Sequence, residues 1–220
     1  AVILAAAGSG KTRTLVHLLA QDLADGIPPQ GIVAFTFTEK AAEELLARVH
    51  AICRKNLPNV SLTGIYVGTI HSWCLRYLSE QSEFYNFTPI DELHTDALVS
   101  RLYDELGLEK AYGEPYPHGT NKFLADLEVF YNEHLELAQV PAHIRPSIAK
   151  FLDVLYRNRL MTFGGMIRHA VEHLQANGPV NGLKALYVDE YQDVNPAQVA
   201  LIKAMLPDDG KVVVVGDDLQ

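Results

Sequence analysis

Residues Ala5-Ala6-Ala7-Gly8-Ser9-Gly10-Lys11-Thr12 constrain this chain more than any other stretch. An apolar run over 1–4 precedes them and reads as a buried strand. Leu15, Val16, Leu18, Leu19 and Leu23 follow at helical spacing. Strand, small-residue loop, Lys-Thr and helix is the setting of a phosphate-binding loop. Small residues let backbone N–H groups curl around a polyphosphate, and the helix N-terminus adds its positive end. Ala5, Ala6, Ala7, Gly8, Ser9, Gly10, Lys11 and Thr12 are therefore candidate nucleotide-binding residues. Lys11 reaches for the β- and γ-phosphates, and the Thr12 hydroxyl suits a phosphate-bound Mg2+. The full pattern begins with Gly where this chain has Ala5, but Gly8 and Gly10 keep the tightest part permissive. A plain strand-to-helix turn leaves Gly-Lys-Thr at that junction unexplained.

The pattern repeats downstream. A second strand is predicted over 30–38, with a helix after it that Thr38 caps and that carries Ala41, Ala42, Leu45, Leu46, Val49 and Ile52 on one face. A loop is expected over 57–61, a third strand over 64–69 and a third helix from 70 to 78. Such alternation predicts an α/β fold with a parallel sheet and crossover helices. It then stops. From 91 to 182 the spacing is helical, as in Leu98-Leu102-Leu106, Phe123-Leu127-Phe130, Ile148-Leu152-Leu155 and Met166-Ala170-Leu174, and no strand is predicted. Residues 91–183 are expected to form an inserted all-helical subdomain between core segments 1–90 and 184–220.

Strands resume at 185–190, an apolar run ending in Asp189-Glu190. Carboxylates at the carboxyl edge of a parallel sheet lie where such sheets bind ligands. Asp189 is the candidate Mg2+ ligand with Thr12, and Glu190 the candidate base for an attacking water. A helix over 196–206 and a strand over 211–215 follow, then Gly216-Asp217-Asp218-Leu219-Gln220.

Charge excludes a simple electrostatic clamp on DNA, since the 220 residues carry a net −9. Residues 1–90 balance seven basic against seven acidic groups, whereas 91–140 hold three against eleven and 141–183 hold five against two. In the basic set of Arg145, Lys150, Arg157, Arg159 and Arg168, Lys150 and Arg157 share a helix face that is either a plain solvated face or a face for duplex DNA. His169-Ala170-Val171-Glu172-His173 matches a zinc pattern, but the downstream acids that could supply a third ligand are those ending the strand at Asp189-Glu190, and a solvated helix face is the better reading. Cys53 and Cys74 lack metal-site spacing and read as reduced thiols, consistent with a cytoplasmic protein. No apolar run is long enough to span a membrane. The chain starts inside a strand without an initiator Met, so a fragment is expected.

The segments AAAGSGKTRTL, GIVAFTFTEKAAEEL, VGTIHSWCLRYL, LYVDEYQDVNPAQ and VVVVGDDLQ occur in that order. Together they resemble motifs I, Ia, Ib, II and III of the UvrD/Rep/PcrA-type superfamily 1 DNA helicases. The resemblance implies a RecA-like P-loop NTPase motor domain with a helical insertion. It implies an ATP-dependent DNA helicase or single-stranded DNA translocase, 3′ to 5′, serving repair, replication or recombination. Its cofactors would be ATP and Mg2+. Its partners would be single-stranded DNA, single-strand/duplex junctions and a second motor domain carrying motifs IV to VI, without which the isolated chain is expected to be nearly inactive. By the same resemblance Lys11, Glu190 and Gln220 are catalytic, Gln220 sensing the γ-phosphate, and Arg13 lies near the adenine. Phe37, Thr38, Thr69, His71 and Ser72 would touch single-stranded DNA. The residues themselves leave a core role open for Phe37, which shares a strand face with Phe35, and a structural role open for His71. Phe163-Gly164-Gly165 stands where such helicases carry two acids after Phe, and no role follows for the glycines. A small-molecule P-loop kinase shares the nucleotide loop but does not account for TFTEK, DEYQD or GDDLQ.

Overall fold

A computed structural model describes residues 2–4, 10–56 and 60–217. The expected nucleotide contacts Ala5, Ala6, Ala7, Gly8 and Ser9, the expected sensor Gln220, and 57–59 of the expected loop lie outside the described residues. Along the chain come β1 (Val2–Leu4), α1 (Lys11–Ala24), β2 (Ile32–Phe35), α2 (Glu39–Asn56), β3 (Tyr66–Gly68) and α3 (Ile70–Ser79). Next are β4 (Thr88–Ile90), α4 (Glu92–Arg101), α5 (Tyr103–Leu106), α6 (Leu108–Tyr112), α7 (His118–Asn132) and α8 (Arg145–Arg157). The chain continues through β5 (Leu160–Thr162), α9 (Phe163–Asn177), β6 (Ala185–Val188), α10 (Pro196–Met205) and β7 (Lys211–Gly216). Packing separates two units. One comprises Ala1–Trp73, His173–Val194 and Leu201–Gln220, the other Cys74–Glu172 and Asn195–Ala200. These borders differ from the expected 90/91 and 183/184. They fall inside α3, α9 and α10, where no breaker or change of composition marks them.

The first unit is built on a five-stranded sheet of order β1-β7-β6-β2-β3, parallel at every ladder. Every residue of β2 and β6 is buried, as covered parallel strands require. Period-two alternation sends Ile32, Ala34, Ala185, Tyr187, Val213 and Val215 into one core with Leu15 and Leu19 of α1 and Leu45 and Val49 of α2. Phe35 points the other way and meets Trp73 edge-on, ring centroids 6.2 Å apart. A charged group sits within this unit. Asp22 is only 5% exposed and accepts hydrogen bonds from the Tyr187 hydroxyl and, at 2.6 Å, from Lys211 Nζ. Burial, and then the Asp22 carboxylate, push the Tyr187 phenol well above its ordinary pKa.

Register places the functional candidates. Leu4 pairs with Gly216, Val188 with Val214 and Phe35, and Phe35 with Gly68, so all five strands end at one edge. The segments leaving that edge carry Lys11, Asp189, Glu190 and Asp217, and also Phe37, Thr38, Thr69 and Ser72.

The second unit is helical except for one ladder. β4 and β5 pair in parallel, Thr88 with Leu160 through Ile90 with Thr162, which corrects the expectation that 91–182 holds no strand. Three residues, Leu-Met-Thr, are too few to show alternation. The core gathers residues from α4 to α8, with Phe123 and Phe151 edge-to-face at 5.6 Å and Ser147 Oγ donating to the Leu106 carbonyl at 2.8 Å.

One further expectation is corrected in this unit, the solvated face around His169. Of the basic residues, Arg145 and Arg168 are partly buried within the unit, while Lys150, Arg157 and Arg159 are exposed. Arg145 Nη2 donates to the Ala138 and Val140 carbonyls, both at 2.9 Å, and Lys150 Nζ to the Glu105 carbonyl at 3.1 Å. Arg157 pairs with Asp153, and Arg159 lies over the Phe87 ring. Arg168 donates to the Leu135 carbonyl, pairs with Glu172 at 2.8 Å and sits 4.8 Å from the Phe130 ring centroid. His169 is not on a solvated face: its ring packs on Phe84, centroids 5.1 Å apart, and lies 6.4 Å from Phe87. Gly164 acquires a reason, since a Cβ there would fall 2.6 Å from Cβ of Tyr131.

Candidate nucleotide and single-strand site

Gly10 sets up the start of α1. Its φ of 92° lies in the left-handed region, which Gly enters without penalty, and Lys11 is the first helical residue. That turn lets Lys11 Nζ reach Glu190 Oε2 at 3.1 Å, with the lysine side chain 10% exposed. The hydrogen bond to Glu190 raises the ammonium pKa above its ordinary value. Burial opposes the rise, and the charges of Glu190, Asp217 and Asp189 add to it.

Glu190 is held in an unusual backbone. Its φ of 49° is left-handed for a non-glycine residue, a conformation that costs about 1–3 kcal/mol and persists only when its surroundings enforce it. A 3-10 turn over Tyr191–Asp193 follows. Within that turn Gln192 Nε2 donates to Glu190 Oε2 at 2.8 Å, while Gln192 Oε1 accepts from the Asp217 backbone N–H at 3.0 Å. Gln192 thus ties the end of β6 to the end of β7. Its donation is the main reason that the Glu190 carboxyl lies below its ordinary range, with Lys11 contributing against an opposing desolvation. Asp189 goes the other way. Burial raises it, although the Glu190 backbone N–H donates to it at 3.1 Å and the nearby Thr12 hydroxyl also lowers it. Two adjacent carboxyls are thereby driven in opposite directions, one kept ready to hold charge and the other already partly desolvated.

Of the expected nucleotide residues that are described, Lys11, Thr12, Asp189 and Glu190 converge, and Arg13 is exposed on the first turn of α1. Gln192 and Asp217 were missed by sequence reasoning. Their signal was the third residue of the Glu-Tyr-Gln segment and the first Asp after β7.

The expected DNA residues gather after β2 and β3. Phe37 is 66% exposed, whereas Phe35, two residues earlier, is 1% exposed, because β2 ends at Phe35 and the alternation does not carry on. Thr38 Oγ1 caps α2 by accepting from the Ala41 N–H at 3.1 Å. Thr69 does the same for α3, accepting from the Ser72 N–H at 3.2 Å. Ser72 Oγ donates to Glu39 Oε1 at 2.6 Å, and Thr69 Oγ1 lies 2.9 Å from that same oxygen. His71 is largely buried, and burial lowers its imidazole pKa, so it favours the neutral form.

The sequence model of the UvrD/REP helicase N-terminal domain matches residues 1–220, the whole chain. The chain belongs to the UvrD/REP helicase family. Similar proteins include an ATP-dependent DNA helicase PcrA of Staphylococcus epidermidis, 28% identical over 232 residues, and one of Staphylococcus aureus, 28% identical over 237 residues. Each comparison covers all of this chain and 31% of the relative, so the chain spans about a third of the length of those helicases. Within this UvrD/REP domain no described helix is long and apolar enough to cross a membrane.

Proposed function

We propose that this domain is the ATP-binding and hydrolysing part of an ATP-dependent DNA helicase, a motor that moves along single-stranded DNA. The supporting observation is the convergence of Lys11 and Thr12, at the start of α1, with Asp189 and Glu190, just beyond β6. Relatives that carry the name ATP-dependent DNA helicase agree with the reading.

The chemistry follows from the groups present. The Thr12 hydroxyl and the Asp189 carboxylate, close enough for Thr12 to lower the carboxyl, are the hard oxygen donors that suit Mg2+, which when bound would supply positive charge against the phosphates. Lys11 exchanges the Glu190 carboxylate for the β- and γ-phosphates of ATP. Glu190, released but still hydrogen-bonded by Gln192, takes a proton from water as its oxygen attacks the γ-phosphorus and the bond to the β-phosphate oxygen breaks. Ala5 to Gly10 would wrap the phosphates, Arg13 would lie near the adenine, and Gln220 would report the γ-phosphate. Phe37 stacks a base without reading sequence, worth about 1–3 kcal/mol. Thr38, Thr69, His71 and Ser72 hold the backbone.

In the full protein this domain works with a second motor domain, moves 3′ to 5′ and opens single-strand/duplex junctions in DNA repair, replication or recombination. It does so in the cytoplasm. The test is ATP hydrolysis by the full-length protein with and without an oligo-dT strand, alongside unwinding of duplexes with a 3′ or a 5′ single-stranded tail. Turnover that ignores the strand would reject the motor reading, and opening only of the 5′-tailed duplex would reject the direction.

A further inference from the structure

The single-strand face contains a group that ought not to be there if phosphates were its only concern. Glu39, the first residue of α2, is exposed, and its Oε1 takes the Ser72 hydroxyl at 2.6 Å. Thr69 Oγ1 lies 2.9 Å from both Glu39 Oε1 and Ser72 Oγ, so its single proton serves one or the other. The hydrogen bond from Ser72, then that from Thr69, hold the Glu39 carboxyl below its ordinary range, so it stays an anion at neutral pH. Phe37, 66% exposed, leaves the chain two residues before it.

A carboxylate oxygen that gathers two hydroxyls offers them what a phosphate oxygen would offer. We infer that Glu39 is an internal occupant of the phosphate subsite formed by Thr69 and Ser72, and that it sets how tightly this domain holds single-stranded DNA. A strand must take both hydroxyls from Glu39 and place its phosphate beside a like charge. Affinity at this step is kept low, as suits a protein that must release each phosphate in order to move on. The inference rests on the proposed single-strand face. It adds that one residue of that face works against binding.

A purely structural Glu39, tying the β3–α3 turn to α2, predicts the opposite sign, because its loss would disorder the hydroxyls and weaken binding. The test is the anisotropy of a labelled oligo-dT titrated with the nucleotide-free full-length protein. Glu39→Gln keeps an acceptor for the hydroxyls and removes the charge. It is expected to bind about tenfold more tightly at low salt, the size of one like-charge contact near the surface. The gain shrinks as salt rises. Adding Ser72→Ala to Glu39→Gln is expected to cancel the gain. Affinity unchanged or weakened in Glu39→Gln, while Phe37→Ala weakens the wild type, overturns the inference and leaves the single-strand face standing. Phe37→Ala without effect in either background overturns that face and the inference with it. Thermal unfolding of each variant separates loss of fold from loss of binding.

Discussion

Lys11 Nζ lies 3.1 Å from Glu190 Oε2, joining the first residue of α1 to the residue two places beyond β6. Without nucleotide, each neutralises the other. In the proposed mechanism ATP breaks the pair, which would couple phosphate binding to release of the base. Lys11→Ala removes the point charge from the phosphates. In the full-length protein it is expected to lower DNA-stimulated turnover by at least ~10²–10³-fold, the cost of losing one charge-stabilising donor. Steady-state hydrolysis measures this, and a loss below tenfold would mean that Lys11 does not hold the transferred phosphate.

Gln192 gives the site a pH dependence of known sign. Its amide holds the Glu190 carboxyl below the ordinary value of 4.5. The stability this contributes is present above that ordinary value and fades as pH falls through the lowered folded value. Asp189 runs the opposite way: its folded carboxyl is raised by burial, so acid relieves it. Gln192→Ala should let Glu190 rise, moving the acid limb of the kcat/KM profile to higher pH. An acid limb that stays in place would show that another group governs it.

Asp22 makes a stability prediction that does not involve the site. The carboxylate is buried against the Tyr187 hydroxyl and Lys211. Lys211→Met leaves Asp22 as a buried anion with one remaining donor, whereas a double Asp22→Leu, Lys211→Met replacement removes the charge altogether. The single variant is expected to lose about 2–4 kcal/mol in urea unfolding and the double variant less, because an orphaned charge costs more than a removed pair. Equal losses would place Asp22 in contact with water.

The sheet and its edge were legible because parallel, doubly covered strands read as apolar runs, and 32–35, 185–188 and 212–215 read that way without context. Lys11, Thr12, Asp189 and Glu190 were legible because the residue types and their places after strands carry the chemistry. Gln192 was not, because an amide two residues after a Glu has no pattern until a turn folds it back. Phe37 was ambiguous because its pairing with Phe35 holds only if the strand continues, and β2 stops at Phe35. The burial of Arg168 was not legible, because charge counts do not show which guanidinium is bonded to a carbonyl. Arg168, a surface charge in the sequence, is 12% exposed.

Gly164 tests a packing argument that the sequence could not supply. Its missing side chain makes room for Tyr131, a buried residue of α7. Gly164→Ala forces that ring or the helix to shift and is expected to cost about 1–3 kcal/mol despite the gain in helix propensity. Gly165→Ala, where the nearest atom is Thr162 Oγ1 at 3.1 Å, should cost less. Thermal unfolding of the two variants checks the order, and a stabilised Gly164→Ala would show that Tyr131 does not press on α9.

In the proposed reaction Glu190 takes the proton from the water that attacks ATP while Asp189, Lys11 and Thr12 hold the nucleotide. Glu190→Gln preserves size and the Gln192 contact but cannot accept the proton. The decisive measurement pairs nucleotide affinity with single-turnover hydrolysis in the full-length protein carrying that one change. Binding is expected within a few-fold of wild type and hydrolysis slower by about 10²–10⁴-fold. Hydrolysis near the wild-type rate with binding intact would contradict it.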